Sequence, residues 1–232
     1  MGGHKGRQLA SKWVKTEALL SHIDIAPHIP PTKRFTAENL RSMLDAHHMV
    51  VVKPVVGAGG HGVIKVTKRS RGSKSASGAE SYAFTYYAQT KRFASFAALI
   101  GALNKKRKGR AYLIQKGIDL ATVDGRPIDY RVKYVKTEKG WVYRAIVGRI
   151  AKPGLFVTNL CRGGTLVKSA FGISRSISPA EVAEKKSKMR ELTVLSTGVL
   201  EKKYPGIGQL GFDYGIDKQG KIWIFEVNTR PQ

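Results

Sequence analysis

Hydrophobic and polar positions follow two rhythms along this chain. Met49 to Val56 is an almost continuous apolar run broken only by Lys53 and Pro54, the pattern of a buried strand. Ile128 to Val135 and Trp141 to Ile150 instead alternate, and Thr137-Glu138-Lys139-Gly140 joins them into a predicted hairpin. Gln209 to Tyr214 and Lys221 to Val227 are predicted to pair across the turn Asp217-Lys218-Gln219-Gly220. Shorter strands are expected at Val63 to Val66, Tyr82 to Tyr87, Arg92 to Phe93 and Tyr112 to Gln115.

Helical periodicity fills the gaps. Residues 11–22 read as a short helix with Trp13, Leu19 and Leu20 apolar. Thr36 caps a helix to about His47, with Leu40, Met43 and Leu44 on one face. Phe96 to Leu103 is a third. Ser178-Pro179-Ala180-Glu181 has the form of a capping box with Pro at the first helical position, opening the longest helix, to about Lys203. Three prolines make Pro27 to Thr32 a connector, residues 69–80 read as a polar loop, and residues 1–10 as a loose basic tail. Helices mixed with mostly antiparallel hairpins give an α+β fold, not a doubly wound one.

Composition changes this picture mainly through charge. The 232 residues suffice for one large domain or two interlocked small ones. Lys plus Arg number 41 against 16 Asp plus Glu, a formal net charge of +25, so the surface attracts anions. The single cysteine, Cys161, rules out an internal disulfide and a Cys-rich zinc site, and fits a reducing cytoplasmic compartment. No apolar segment follows the N-terminus, so no signal peptide is expected, and no run approaches the roughly 18 residues of a membrane span. Lys105 to Arg110 and Arg69 to Lys74 are basic runs, but no nucleic-acid module accompanies them, so nucleic-acid binding is expected to be nonspecific.

Three constellations carry candidate chemistry. In the first, Gly57, Gly59 and Gly62 formally satisfy G-x-G-x-x-G, but β-type residues follow where a dinucleotide fold needs a helix. A Gly-rich hairpin remains, in which the backbone N–H groups of Gly57, Gly59, Gly60 and Gly62 can cover phosphates. Lys53 enters it from an apolar strand, where a phosphate would supply a partner for an ammonium costly to bury alone. The plainer alternative is a lysine at the strand edge reaching solvent. The second is Asp213 with Glu226-Val227-Asn228. Glu226 and Asn228, two apart, share a strand face that Asp213 can reach, giving an oxygen-only ligand set suited to Mg²⁺. In the third, Asp129, Arg131, Arg149 and Asn159 lie on or after two consecutive strands, and the arginines can clamp phosphate or carboxylate; the alternative is a solvated basic face.

In this order these residues resemble the ATP-grasp superfamily, and most nearly its YheC/YheD family of endospore coat-associated proteins. The resemblance is carried by Ser11-Lys12-Trp13, Lys53-Pro54 with its Gly loop, and Gln115-Lys116-Gly117-Ile118-Asp119-Leu120. It continues through Gly125-Arg126-Pro127-Ile128-Asp129-Tyr130-Arg131-Val132, Thr158 to Gly164, Gly211-Phe212-Asp213 and Glu226-Val227-Asn228. It implies a fold of two α+β subdomains, mostly antiparallel, that clamp a nucleotide. After the tail, one ATP-grasp domain is expected over 11–232: a helical segment at 11–50, a lid-like subdomain at 51–114 and a C-terminal subdomain at 115–232.

The resemblance also implies roles. Lys12 and Lys53 look like the lysines that contact nucleotide phosphates. Gln115, Lys116 and Ile118 look like a hinge that reads adenine, and Asp129 and Asn159 like nucleotide contacts. Arg131 and Arg149 resemble arginines that act on the transferred phosphoryl group, and Asp213, Glu226 and Asn228 the Mg²⁺ ligands. The implied activity is an ATP- and Mg-dependent carboxylate–amine ligase passing through an acyl phosphate. The charge favours an acidic substrate, an amino acid or peptide. A non-catalytic, nucleotide-binding spore-coat protein is the first alternative and a basic nucleic-acid-binding protein the second. Most relatives of this type carry an N-terminal substrate-binding domain, so that domain is expected to be either missing here or supplied by a partner, and relatives usually continue past Pro231.

Overall fold

Helix α1 (Lys12–Leu20) starts where the Ser11 hydroxyl accepts from the Val14 N–H at 3.3 Å, satisfying a donor that the first turn leaves orphaned. The expected apolar stripe is partly replaced. Lys12, Lys15, Ala18 and Leu19 are the buried positions, whereas Leu20 is 38% exposed. Two lysines can occupy a buried face because Glu226 pairs with Lys12 at 2.9 Å and the Leu9 carbonyl accepts from Lys15 at 2.6 Å.

The structure, a computed structural model, describes residues 6–69 and 81–231. They form two units, residues 6–30 with 119–231 and the described part of Pro31–Ile118. Helix α1 thus belongs with the C-terminal residues. The boundaries differ from those drawn at 51 and 115, because residues 11–50 hold two helices whose buried faces serve different cores. The polar loop expected at 69–80 falls, beyond Arg69, outside the described residues.

The Pro31–Ile118 unit is a sheet backed by two helices. Its elements are β1 (Thr32–Arg34), α2 (Ala37–His47), β2 (Met49–Pro54), β3 (Ile64–Arg69), β4 (Ser81–Tyr86), β5 (Gln89–Phe93), α3 (Phe96–Arg107) and β6 (Tyr112–Lys116). The strands run β1-β6-β2-β3-β4-β5, antiparallel throughout. Thr36 and Ser95 cap α2 and α3 through Asn39 N–H (3.0 Å) and Ala98 N–H (3.2 Å). Leu40, Met43 and Leu44 of α2 and Leu99 and Leu103 of α3 bury against Val50, Val52, Ile64, Val66 and Ile114. The connector expected at Pro27 to Thr32 instead holds a 3-10 turn, Ala26–His28, and the first residue of β1.

The other unit continues with β7 (Thr122–Val123), β8 (Arg126–Thr137), β9 (Gly140–Ile150), β10 (Thr165–Lys168), α4 (Ser169–Ser176), α5 (Val182–Lys203), β11 (Gln209–Ile216) and β12 (Ile222–Asn228). Its strands run β10-β9-β8-β11-β12, all antiparallel, with β7 paired to β8. Tyr130, Val132, Phe212 and Tyr214 point to one face and pack with Ile173, Met189 and Leu192 of α4 and α5. The Asp217 carboxylate pins the β11–β12 turn, accepting from the Gln219 and Lys221 N–H groups and from Trp223 Nε1.

Two expectations need correction. Ser178 makes no capping bond; a 3-10 turn, Pro179–Glu181, intervenes, and Glu181 pairs with Lys185 at 2.9 Å. The glutamate that should reach back to Ser178 is held forward by this lysine. Residues 6–10 are not a loose tail, since Arg7 N–H donates to Gly206 O at 2.6 Å and Leu9 N–H to Thr229 Oγ1 at 2.8 Å. Among the described residues no helix is long and apolar enough to cross a membrane.

Candidate functional site

The charged face of the β8–β12 sheet follows from strand periodicity. Asp129 and Arg131 alternate with core-facing Tyr130 and Val132, so both point away from the core. Register then fixes their neighbours: Asp129 is opposite Arg149, Arg131 opposite Asp213, and Asp213 opposite Glu226. A shift in register between Asp213 and Tyr214 lies beside the last pair.

Three cations meet three carboxylates there. Arg149 donates from Nε to Asp129 Oδ1 (2.8 Å) and from Nη2 to Asp129 Oδ2 (2.6 Å), and Nη2 also reaches Asp213 Oδ1 (2.8 Å). Arg131 Nη1 lies 3.2 Å from the same Asp213 oxygen. Lys12 Nζ holds Glu226 Oε1 at 2.9 Å. With its amide oriented to suit both neighbours, Asn228 donates to Glu226 Oε1 at 2.7 Å and accepts from Arg131 Nη1 at 3.1 Å. Asp129 and Arg149 are only 6% and 5% exposed, so the fork between them is shielded from water.

Burial sets the protonation. It pushes the Asp129 carboxyl up, while the charge and hydrogen bonds of Arg149 and the Thr158 hydroxyl pull it back. Burial works against the charge on Arg149, but Asp213 and Asp129 outweigh it and push the guanidinium up, so it stays protonated. Lys15, one helical turn after Lys12, is lowered to about 8 by burial, against the pull of Glu226.

Among the described residues nothing bonds to Asp213 Oδ2 or Glu226 Oε2, and these carboxylates are cross-strand partners with the Asn228 amide beside them. Carboxylate and amide oxygens are the donors a hard divalent cation takes, so this set fits magnesium. Among the described residues no three His, Cys, Asp or Glu side chains are arranged to hold a metal ion between them, so the candidate set here is two carboxylates and one amide.

The model of the YheC/D-like ATP-grasp family matches residues 5–232. The chain belongs to the YheC/D-like ATP-grasp family. Endospore coat-associated protein YheD of Bacillus subtilis (strain 168) is 31% identical over 226 residues, covering 95% of this chain and 48% of that protein. Its counterpart YheC from the same strain is 29% identical over 231 residues, covering 97% of this chain and 61% of that protein. The chain therefore spans about half to three-fifths of the length of these curated relatives. Among solved structures, carboxyaminoimidazole ribonucleotide synthase from Aspergillus clavatus complexed with ATP aligns with TM-score 0.57 at 16% identity, over 97% of this chain and 46% of that one. D-alanyl-alanine synthetase A from Vibrio cholerae O1 biovar eltor str. N16961 gives 0.57 at 12% identity, over 96% and 55%. Both likenesses are of fold: this is an ATP-grasp fold with two mostly antiparallel sheets.

The Lys53 and Gly-loop constellation lies in the Pro31–Ile118 unit. Lys53 does face the interior of its strand, but the chain itself supplies an acceptor: Lys53 Nζ donates to Gln115 Oε1 at 2.8 Å, and Gln115 Nε2 donates to Thr32 Oγ1 at 3.0 Å. A phosphate is therefore not needed to explain a lysine in this strand. Gly59, Gly60 and Gly62 have φ of 63°, 69° and 75°, the left-handed region that favours glycine. A Cβ on Gly62 would also sit 2.7 Å from the Tyr112 hydroxyl. Lys116 N–H is taken by the Pro31 carbonyl at 2.8 Å, and Ile118 is the last residue of the unit.

Asn159 precedes a 3-10 turn, Leu160–Arg162, and its carbonyl accepts from Arg162 N–H (2.9 Å) and Gly164 N–H (3.3 Å). Thr158, which touches Asp129, and Lys15 were not singled out from the sequence. Lys15 had a readable signal, its three-residue spacing from Lys12 on one helix. Thr158 stands in a motif of the resemblance, but its contact with Asp129 had no local signal, because a loop brings it to β8.

Proposed function

We propose that this chain is an ATP- and Mg-dependent carboxylate–amine ligase. The observation that carries the reading is the pairing of Asp213 with Glu226 across β11 and β12, each keeping one unbonded carboxylate oxygen, with Arg131 alongside. Asp213, Glu226 and Asn228 hold the magnesium, which when bound neutralises phosphate charge. Lys12 and Arg131 are displaced from the carboxylates towards phosphate oxygens. Asp129 and Asn159 contact the nucleotide. Lys53 and the Gly57–Gly62 loop are read as phosphate contacts, and Gln115, Lys116 and Ile118 as adenine contacts. Arg149 has two carboxylates on its guanidinium already, so its role in this reading is to position Asp129 and Asp213.

The reaction transfers the γ-phosphoryl group of ATP to a carboxylate, giving an acyl phosphate and ADP. An amine then attacks the acyl carbon, phosphate leaves, and an amide remains. Arg131 offsets charge on the transferred group and loop 57–62 excludes water. The net charge of +25 favours an acidic amino acid or peptide as substrate. The relatives' names favour a spore-associated setting.

ADP release, measured against a panel of carboxylates and amines, tests the activity. Mg-dependent nucleotide binding is measured in parallel on wild type and Glu226→Gln. Turnover with acidic partners, lost together with binding in the variant, is expected. Unchanged turnover or binding in Glu226→Gln overturns the site. Intact Mg-ATP binding with no ADP release on any pair favours instead a non-catalytic component of the spore coat, the structure named in both curated relatives.

A further inference from the structure

The face of the β8–β12 sheet opposite the carboxylates carries a second charged feature. On the side packed by α4 and α5, a pocket of about 280 Å³ is lined by Tyr143, Arg144, Ile146, Ser169, Lys186 and Arg190, among others. Register explains how Arg144 enters it. Lys133 pairs with Ala145 and Tyr134 with Tyr143, so Arg144 is the extra residue of a bulge and is re-aimed by it.

The cations lack acidic partners. On α5 the neighbouring acids are committed elsewhere: Glu191 to Lys188 at 2.7 Å, and Glu181 and Glu184 to Lys185 at 2.9 and 3.0 Å. Among the described residues no carboxylate pairs with Arg144, Lys186 or Arg190. Arg190 is nevertheless held in place. Its guanidinium lies 5.7 Å from the Tyr143 ring centroid, and Tyr143 Oη donates to its carbonyl at 3.0 Å.

The start of α4 completes the lining. Its N-cap, Lys168, makes no side-chain capping bond and its first turn holds no acid, so the orphaned N–H groups and the positive end of the helix stay uncompensated. Ser169, the first residue of α4, is 5% exposed and lines the pocket. A serine hydroxyl and the uncapped first turn of a helix beside three cations without acidic partners make an arrangement that an oxyanion satisfies.

We propose that this pocket binds the phosphate or carboxylate group of a small anion. Lys186, Arg190 and Arg144 supply charge, Ser169 and the first N–H groups of α4 supply donors, and Tyr143 and Ile146 pack against the carbon skeleton. The volume suits a ligand near the small end of the usual range, about 300 Å³ upwards. This site is independent of the ligase reading.

Isothermal titration of the full chain with inorganic phosphate and, separately, with glutamate, at constant ionic strength set by sodium chloride, tests the proposal. Saturable binding of one or both is expected in wild type. It weakens at least tenfold in Lys186→Ala/Arg190→Ala and several-fold in Ser169→Ala. It is unchanged in Lys105→Ala/Lys106→Ala, which removes the same charge from the other unit. Binding of phosphate alone or glutamate alone supports the site and names its class. Absence of saturable binding for both anions, or equal weakening in the two double variants, overturns it. Circular dichroism of each variant confirms that it folds, and Arg144→Gln, on an exposed bulge, repeats the test if Ser169→Ala does not.

Discussion

Arg149 and Asp213 are joined through Nη2 at 2.8 Å, the nitrogen that also binds Asp129 at 2.6 Å. One guanidinium thus fixes the spacing of two buried carboxylates on different strands. Removing it leaves Asp129 buried beside Asp213 with no fork to compensate it. Arg149→Ala is expected to lower unfolding free energy by about 3–5 kcal/mol, the usual cost of breaking a buried pair from one side. Arg149→Lys keeps the charge but loses the fork and is expected to fall between. Urea denaturation measures both, and a wild-type midpoint in Arg149→Ala would refute the positioning role.

Lys53 and Gln115 make a second buried pair whose parts are not additive. Gln115→Leu strips Lys53 of its amide acceptor and is expected to cost about 1–3 kcal/mol. Lys53→Met/Gln115→Leu removes the ammonium as well and is expected to recover part of that loss, because two apolar groups can replace a buried polar pair at small cost. The double-mutant cycle in urea decides it. A double variant less stable than Gln115→Leu would show that Lys53 contributes through something other than this bond.

The strands were legible because their patterns were strong. The alternation of Ile128 to Val135 placed Asp129 and Arg131 on one face, and the turn at Asp217 to Gly220 placed Asp213 within reach of Glu226. What could not be read was what each charge touches at rest. Lys12 lies far from Glu226 in sequence, and only the return of β12 past α1 brings them to 2.9 Å. Lys53 read as a lysine in want of phosphate because its partner lies 62 residues on. The domain division was obscured for a similar reason: α1 and α2 are neighbours in sequence, yet each buries its face in a different core. β10 and α4 were missed because Thr165 to Ser176 is short, polar and without a cap, and that missing cap is part of the second anion site.

Lys15 gives a pH signature. Its amine is lowered from the ordinary 10.5 to about 8 in the folded chain, first by burial. A lysine that binds its proton more weakly when folded costs stability while protonated. That cost is full below about pH 8, and it diminishes as pH rises towards 10.5, where the unfolded chain also deprotonates. The span corresponds to at most about 3 kcal/mol. Stability of wild type relative to Lys15→Met is therefore expected to rise between about pH 8 and pH 10. Parallel urea curves across that window test it, and a flat difference would mean that Lys15 keeps its ordinary proton affinity.

Gly164 connects the Asn159 turn to the carboxylates. A Cβ at this position would overlap the Thr158 carbonyl oxygen, a backbone atom with no rotamer by which to escape. Thr158 in turn supports Asp129 through its hydroxyl. Gly164→Ala is therefore expected to push Thr158 off Asp129 and cost about 1–3 kcal/mol, the range for forcing atoms into a packed site. Thr158→Val removes the hydroxyl without the clash and is expected to cost less. If the urea midpoint of Gly164→Ala equals that of wild type, the turn yields without disturbing Asp129 and the coupling between them is absent.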